Sequence, residues 1–180
     1  MSNDKINEIL SKFNLNEKNN SKIKKMVYNE LKKKKPIIFG KNELSAGPEI
    51  YNSKKIILVE GRADVIHLLK IDIQNTLSLG GTNISEEVIK FCENKETIAL
   101  LDGDRGGDAI LKELLIKMKI DYVSRAPANK EIEHLDLDTL KKVIENKTKV
   151  VNSEFYENKI SLLEFLNKNQ LTRKYGLKRY

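Results

Sequence analysis

Ile56-Ile57-Leu58-Val59 is an unbroken apolar run, mostly β-branched, that stops abruptly at Glu60-Gly61. A half-exposed strand would alternate apolar and polar residues, so a continuous run of this kind marks a strand buried on both faces. Past the Gly61 turn, Val65, Leu68 and Leu69 take up helical spacing. The unit then repeats. A strand is expected at 75–79, followed by Gly80-Gly81-Thr82-Asn83 and a helix opened by Ser85 or by the Thr82-Asn83 pair, with Glu86 and Glu87 in its first turn, where the helix dipole favours them. Thr97–Leu101 reads as a third buried strand and runs into Asp102-Gly103-Asp104-Arg105-Gly106-Gly107. Ile110, Leu111, Leu114, Leu115 and Met118 space out the next helix, and a fourth strand at 121–124 ends before Arg125-Ala126-Pro127. Strands alternating with helices across short connections predict an α/β fold, a parallel sheet sandwiched by helices.

The flanks read differently. Ile6, Ile9, Leu10 and Phe13 predict a short amphipathic helix over 3–13, with Ser2, Asn3 or Asp4 able to cap it. A second helix is expected over 21–35, ended by Pro36 and crowded with lysine, including Lys32, Lys33, Lys34 and Lys35. Residues 36–54 contain Gly40, Ser45, Gly47 and Pro48 and read as an extended linker. After Pro127 the chain turns polar, with helices expected at 136–146 and 153–168 and a tail that interleaves Arg173, Lys174, Lys178 and Arg179 with Tyr175 and Tyr180. The expected organisation is a basic helical extension (1–35), a linker (36–54), a catalytic α/β domain (55–128) and a helical, basic C-terminal part (129–180).

Charge follows the same division. The 180 residues carry a net charge of +7. Residues 55–128 hold 10 basic against 12 acidic residues, whereas the flanks hold 23 against 14. An acidic centre with basic flanks suits a metal-dependent site served by surfaces that hold a polyanion, although a lysine-rich composition decorating solvated helices gives the same count. No segment reaches the roughly 18 apolar residues that a membrane helix needs, so nothing is expected to span a bilayer. Met1-Ser2-Asn3-Asp4 lacks the pattern of a secretory signal, which leads to an expected cytoplasmic location. The single cysteine, Cys92, excludes an internal disulfide and a zinc site of paired cysteines.

In an open parallel sheet, ligands bind beyond the carboxyl ends of the strands. The first strand delivers Glu60 there and the third delivers Asp102 and Asp104. Hard carboxylate oxygens, with phosphates completing the shell, suit Mg²⁺ (or Mn²⁺), and no set of His and Cys competes for zinc or copper. Glu60 leaves an apolar strand, a setting that raises a carboxyl pKa toward general acid–base use. The competing structural readings are a plain Glu-Gly turn and a loop with Asx-turns; a calcium loop, for which Asp102 and Glu113 would be the first and twelfth positions, is opposed by the helix expected to start at about Gly107. Arginine adds a further signal. Only 5 of the 33 basic residues are arginine, and Arg62, Arg105 and Arg125 all sit at expected strand ends, where a guanidinium can bind phosphate in bidentate fashion. Ordinary pairing with Asp64 or Asp108 is the alternative. His67 reads as a packing residue within a helix, and His134 has no evident partner.

The strings Ile57-Leu58-Val59-Glu60-Gly61-Arg62-Ala63-Asp64-Val65 and Leu101-Asp102-Gly103-Asp104-Arg105-Gly106-Gly107 together resemble the Toprim domain, and more narrowly the archaeal DnaG-type primases. Ala46-Gly47-Pro48, Gly81-Thr82-Asn83 and Asp121–Pro127 extend the resemblance over about residues 44–135. It implies a Rossmann-like Toprim sheet, Mg²⁺ held by Asp102 and Asp104, and Glu60 as general acid–base or third ligand. It also implies synthesis of short RNA primers on single-stranded DNA from ribonucleoside triphosphates, as a DNA-directed RNA polymerase of the replication machinery that meets a helicase. Archaeal relatives are further associated with the RNA-degrading exosome, as adaptors favouring adenine-rich RNA, and a Toprim nuclease is a third reading of the same carboxylates. Relatives carry a substantial domain ahead of the Toprim part, where here about 50 residues precede it, and Asp108 stands where many relatives have glutamate. Nucleic-acid contacts are then expected from Arg62, Arg105, Arg125 and Lys32–Lys35, with the basic tail assisting.

Overall fold

The computed structural model describes residues 35–150 together with Glu164. The helices expected at 3–13 and 21–35, Lys32 to Lys34, and the basic tail lie outside the described residues. So does the helix expected at 153–168, apart from Glu164, which is helical.

The strands come first, because they position everything else. In chain order the elements are β1 (Ile37–Phe39), β2 (Leu44–Ala46), β3 (Lys55–Val59), helix α1 (Arg62–Leu69), β4 (Thr76–Ser78), α2 (Glu86–Cys92), β5 (Glu96–Leu101), α3 (Arg105–Lys117) and β6 (Tyr122–Arg125). A 3-10 turn (Ile132–His134), α4 (Leu137–Glu145) and β7 (Thr148–Lys149) complete the set. One seven-stranded sheet results, in the order β1-β2-β4-β3-β5-β6-β7. Its central four strands, β4-β3-β5-β6, are parallel, as the alternating pattern predicts.

The continuous apolar runs do what a doubly covered strand requires. Ile56 and Leu58 of β3, with Ala99 and Leu101 of β5, face a core completed by Val88 and Cys92 of α2 and by Ile110, Leu111, Leu114 and Leu115 of α3. Ile57 and Val59, with Ile98 and Leu100, face the opposite side and meet Val65, Leu68 and Leu69 of α1 together with Ile132, Leu135 and Leu140. Successive strand residues therefore feed two separate cores, and a polar residue on either face would be stranded away from water. The caps match the sequence. Ser85 Oγ accepts from Val88 N–H at 3.4 Å and Asp136 Oδ1 from Thr139 N–H at 2.9 Å, opening α2 and α4. Cys92 is a buried small hydrophobe.

Residues 36–54 are not an extended linker. They hold β1 and β2, which pair antiparallel (Ile37 opposite Ala46, Phe39 opposite Leu44) and dock on β4 through Ala46 and Leu77. Gly40, at φ 66°, turns the hairpin, and Phe39 and Ala46 reach the core. The glycines and proline that suggested a linker punctuate three-residue strands too short to show a period. On the far edge β7, also unexpected, pairs antiparallel with β6. The sheet is therefore mixed, with antiparallel strands at both edges of a parallel centre.

Candidate active site

The chain runs from β3 outward to β4, then crosses back to place β5 on the other side of β3. That reversal makes the gap between β3 and β5 the switch point, where connections leave in opposite directions and open a crevice. Glu60 lies immediately past the end of β3 and Asp102 immediately past the end of β5. The two are joined directly: Asp102 N–H donates to Glu60 Oε1 at 3.1 Å. Asp104 stands two residues on, where it caps α3 by accepting from Gly107 N–H at 3.0 Å.

Two glycines allow this packing. A Cβ on Gly107 would lie 2.3 Å from the Asp102 carbonyl oxygen and 3.1 Å from Glu60 Oε1. A Cβ on Gly103 would lie 2.0 Å from the Pro127 carbonyl oxygen. Both clashes are with backbone, which cannot move aside without opening the loop.

Burial first, and mutual repulsion second, make the carboxylates of the crevice costly to ionise. Glu60 is pushed up to about 7, chiefly by burial and then by the neighbouring negative charge of Asp102. Asp102 is also raised, by burial first; the Ile132 N–H that donates to its Oδ1 at 2.7 Å opposes the rise, and Asp104, Glu131 and Glu133 add to it. Asp64, buried in the first turn of α1, rises to about 6, again mainly through burial, despite accepting from Gly61 N–H at 2.9 Å. A divalent cation would relieve this repulsion. Carboxylate oxygens suit a hard divalent ion; Glu60 and Asp102 meet in the crevice, while Asp104 is exposed and engaged in capping α3.

The arginines divide. Arg105 is exposed at the start of α3, next to Asp104 in the chain. Arg62 is exposed and donates to Ser45 Oγ at 3.2 Å, tying α1 to β2. Arg125, expected at a phosphate, is instead turned inward and only 5% exposed. Its Nη1 pairs with Asp108 at 2.6 Å and its Nη2 donates to the Asp104 carbonyl at 2.9 Å. The alternative of pairing with Asp108 is the one realised, and Arg125 braces the Asp104 loop from behind. Lys35, the one residue of the lysine run within the described part, is exposed.

Sequence reading missed the 3-10 turn. Glu131, Glu133 and His134 bring oxygen and nitrogen ligand atoms within 4.8 Å of one another, with His134 Nδ1 at 2.9 Å from Glu131 Oε2. Two glutamates spaced one residue apart gave no signal, because their approach to Asp102 depends on where Ile132 is anchored. Elsewhere, a cavity of about 660 Å³ opens at the amino ends of β5 and β6, lined in part by Lys95, Lys117, Lys119 and Asp121. None of the carboxylates of the crevice lines it. No described helix is long and apolar enough to cross a membrane.

The Toprim domain family matches residues 55–137. DNA primase DnaG of Archaeoglobus fulgidus is 49% identical over 112 residues, 62% of this chain and 28% of that protein. DNA primase DnaG of Thermoplasma volcanium is 45% identical over 126 residues, 70% of this chain and 28% of that protein. This chain thus spans under a third of the length of either relative. Among solved structures, a DNA primase domain from Pseudomonas aeruginosa aligns with a TM-score of 0.48 at 24% identity, covering 59% of this chain and 39% of that one. Residues 55–137 match the Toprim domain family, and over 112 to 126 residues this chain is similar to archaeal DnaG primases.

Proposed function

We propose that this chain is a primase-type nucleotidyltransferase, a DNA-directed RNA polymerase that joins ribonucleoside triphosphates into short RNA primers on single-stranded DNA. The observation that carries the reading is the meeting of Glu60 and Asp102 across adjacent parallel strands at the switch point, joined at 3.1 Å. Mg²⁺ bound by Glu60, Asp102 and Asp104 would neutralise the triphosphate and the charge that develops as the phosphodiester forms. Glu60, pushed up to about 7 in the cation-free fold, could instead of serving as third ligand accept the proton of the attacking 3′-hydroxyl. Arg105 lies beside Asp104 and can hold a phosphate in bidentate fashion. Lys32 to Lys35 and the basic tail supply a sequence-independent grip on the template.

Labelled-nucleotide incorporation on single-stranded DNA with Mg²⁺ tests the proposal, comparing the unaltered chain with Glu60→Gln and Asp102→Asn. Template-dependent product lost in both variants supports a primase. Absence of product from the unaltered chain, with oligoadenylate binding that persists in excess chelator, would replace it with an RNA-binding adaptor for the exosome. Mg²⁺-dependent shortening of the template would replace it with a nuclease. Contact with a replication helicase belongs to the primase reading alone.

A further inference from the structure

Asp102 does not hold its own position. Its Oδ1 is gripped by Ile132 N–H at 2.7 Å, and Ile132 begins the 3-10 turn. The other end of that turn is Leu135, whose N–H returns to the Ile132 carbonyl at 3.2 Å. The Leu135 carbonyl in turn accepts from His67 Nε2 at 2.7 Å. His67 is buried, 7% exposed, on the inner face of α1. Lys70 Nζ lies 3.3 Å from His67 Nδ1. An ammonium can only donate, so Nδ1 accepts and the proton sits on Nε2, the tautomer needed to hold Leu135.

Helix α1 therefore touches both halves of the crevice. Asp64, in its first turn, accepts from Gly61 N–H at 2.9 Å and fixes the bend that follows Glu60. His67, one residue short of a full turn later, fixes the turn that presents Ile132 N–H to Asp102. Both side chains lie on the same side of one helix, as i and i+3 positions do.

We propose that His67 is a positioning residue for the metal centre, fixing the 3-10 turn so that Ile132 N–H orients the Asp102 carboxylate toward the ion shared with Glu60. The inference rests on the reading that Glu60, Asp102 and Asp104 hold a divalent cation. Orientation of a ligand by groups behind it commonly governs metal affinity, at about 10- to 100-fold for the partner that touches the ligand itself. His67 acts through one intervening turn, so an effect near the lower end follows.

Mn²⁺ alone, titrated into the full chain and followed by electron paramagnetic resonance, provides the test, with Glu131→Gln and Glu133→Gln present in every chain compared so that the ligand group of the 3-10 turn does not contribute. His67→Leu and His67→Asn remove the bond, one with an apolar and one with a shorter polar side chain. His67→Gln keeps an N–H near the place of Nε2. Both bond-losing variants are expected to bind Mn²⁺ about tenfold more weakly, with His67→Gln within about threefold of the chain unaltered at His67. Hydrogen exchange at the Ile132 amide should accelerate in the same two variants while the amides of β5 keep their protection. A folded His67→Leu or His67→Asn chain that binds Mn²⁺ like the one unaltered at His67 would overturn the proposal, as would a His67→Gln chain no better than the other two. Failure of the chain unaltered at His67 to bind Mn²⁺ would bring down the metal centre itself, a result distinct from either.

Discussion

Asp102 holds Glu60 with its backbone and leaves its own carboxylate to be held by Ile132, at 3.1 and 2.7 Å respectively. Each carboxylate therefore has one oxygen fixed by an N–H, so both are oriented before any ion arrives. Preorganisation of this kind reduces what binding must spend on ordering side chains.

In the absence of a bound cation, Glu60 should make stability fall as pH rises. Its folded pKa is about 7 against an ordinary value of 4.5, so the folded chain keeps a proton that the unfolded chain releases between those values. The contribution is complete below about pH 4.5 and is gone above about 7. Glu60→Gln should then stabilise the cation-free protein by roughly 1–2 kcal/mol at pH 8, after allowance for solvent screening, and by much less at pH 5. Urea unfolding at the two pH values checks this, and equal effects at both would contradict it.

Cation affinity should move the opposite way. Ligation needs the ionised carboxylates, and both Glu60 and Asp102 are raised. Mg²⁺ affinity should therefore increase steadily from pH 6 to pH 8. Calorimetric titration at three pH values measures it; a flat profile would mean that neither group ligates.

Gly107→Ala should be costly in a way unusual for a glycine inside a helix. Alanine there improves helix propensity by about 1 kcal/mol. The added Cβ would nevertheless lie 2.3 Å from the Asp102 carbonyl, so overpacking of about 1–3 kcal/mol should win and spread β5 from α3. Denaturant midpoint and Mn²⁺ affinity should fall together.

Arg125→Met should destabilise the fold by about 3 kcal/mol, because it leaves Asp108 without its charge partner and the Asp104 carbonyl without its donor. Arg125→Met combined with Asp108→Leu should recover most of that loss. Thermal melts of the single and double variants decide it, and a neutral single variant would mean that the pair with Asp108 adds nothing to stability.

Arg105→Ala should leave the melting temperature within about 1 °C, since the residue is exposed. It should weaken single-stranded nucleic-acid binding and lower the salt dependence by about one counterion. Fluorescence anisotropy across a salt series reads both quantities.

The legible parts of this protein were those with a strong local cause. Ile56 to Val59 and Thr97 to Leu101 announce doubly buried strands because both faces demand apolar side chains, and strand ends then locate Glu60, Asp102 and Asp104. Ile37–Phe39 and Leu44–Ala46 escaped notice because three residues cannot display a period and their neighbours are turn formers. Arg125 was placed at the right strand end with the wrong target, since a guanidinium suits Asp108 and a phosphate equally and only burial separates them. Glu131, Glu133 and His67 gained meaning from contacts across 30 to 70 residues of chain, which no local pattern records.

The hairpin at 37–46 sets a rule for anyone handling this domain. It covers the outer edge of β4, with Gly47 N–H donating to the Thr76 carbonyl at 2.9 Å. A fragment begun at Lys55, where the family match starts, would bare that edge and invite chains to add to one another through it. A unit with that edge covered therefore begins ahead of Ile37, and a shorter version that precipitates would reflect a missing cover strand while the crevice of Glu60 and Asp102 stays complete.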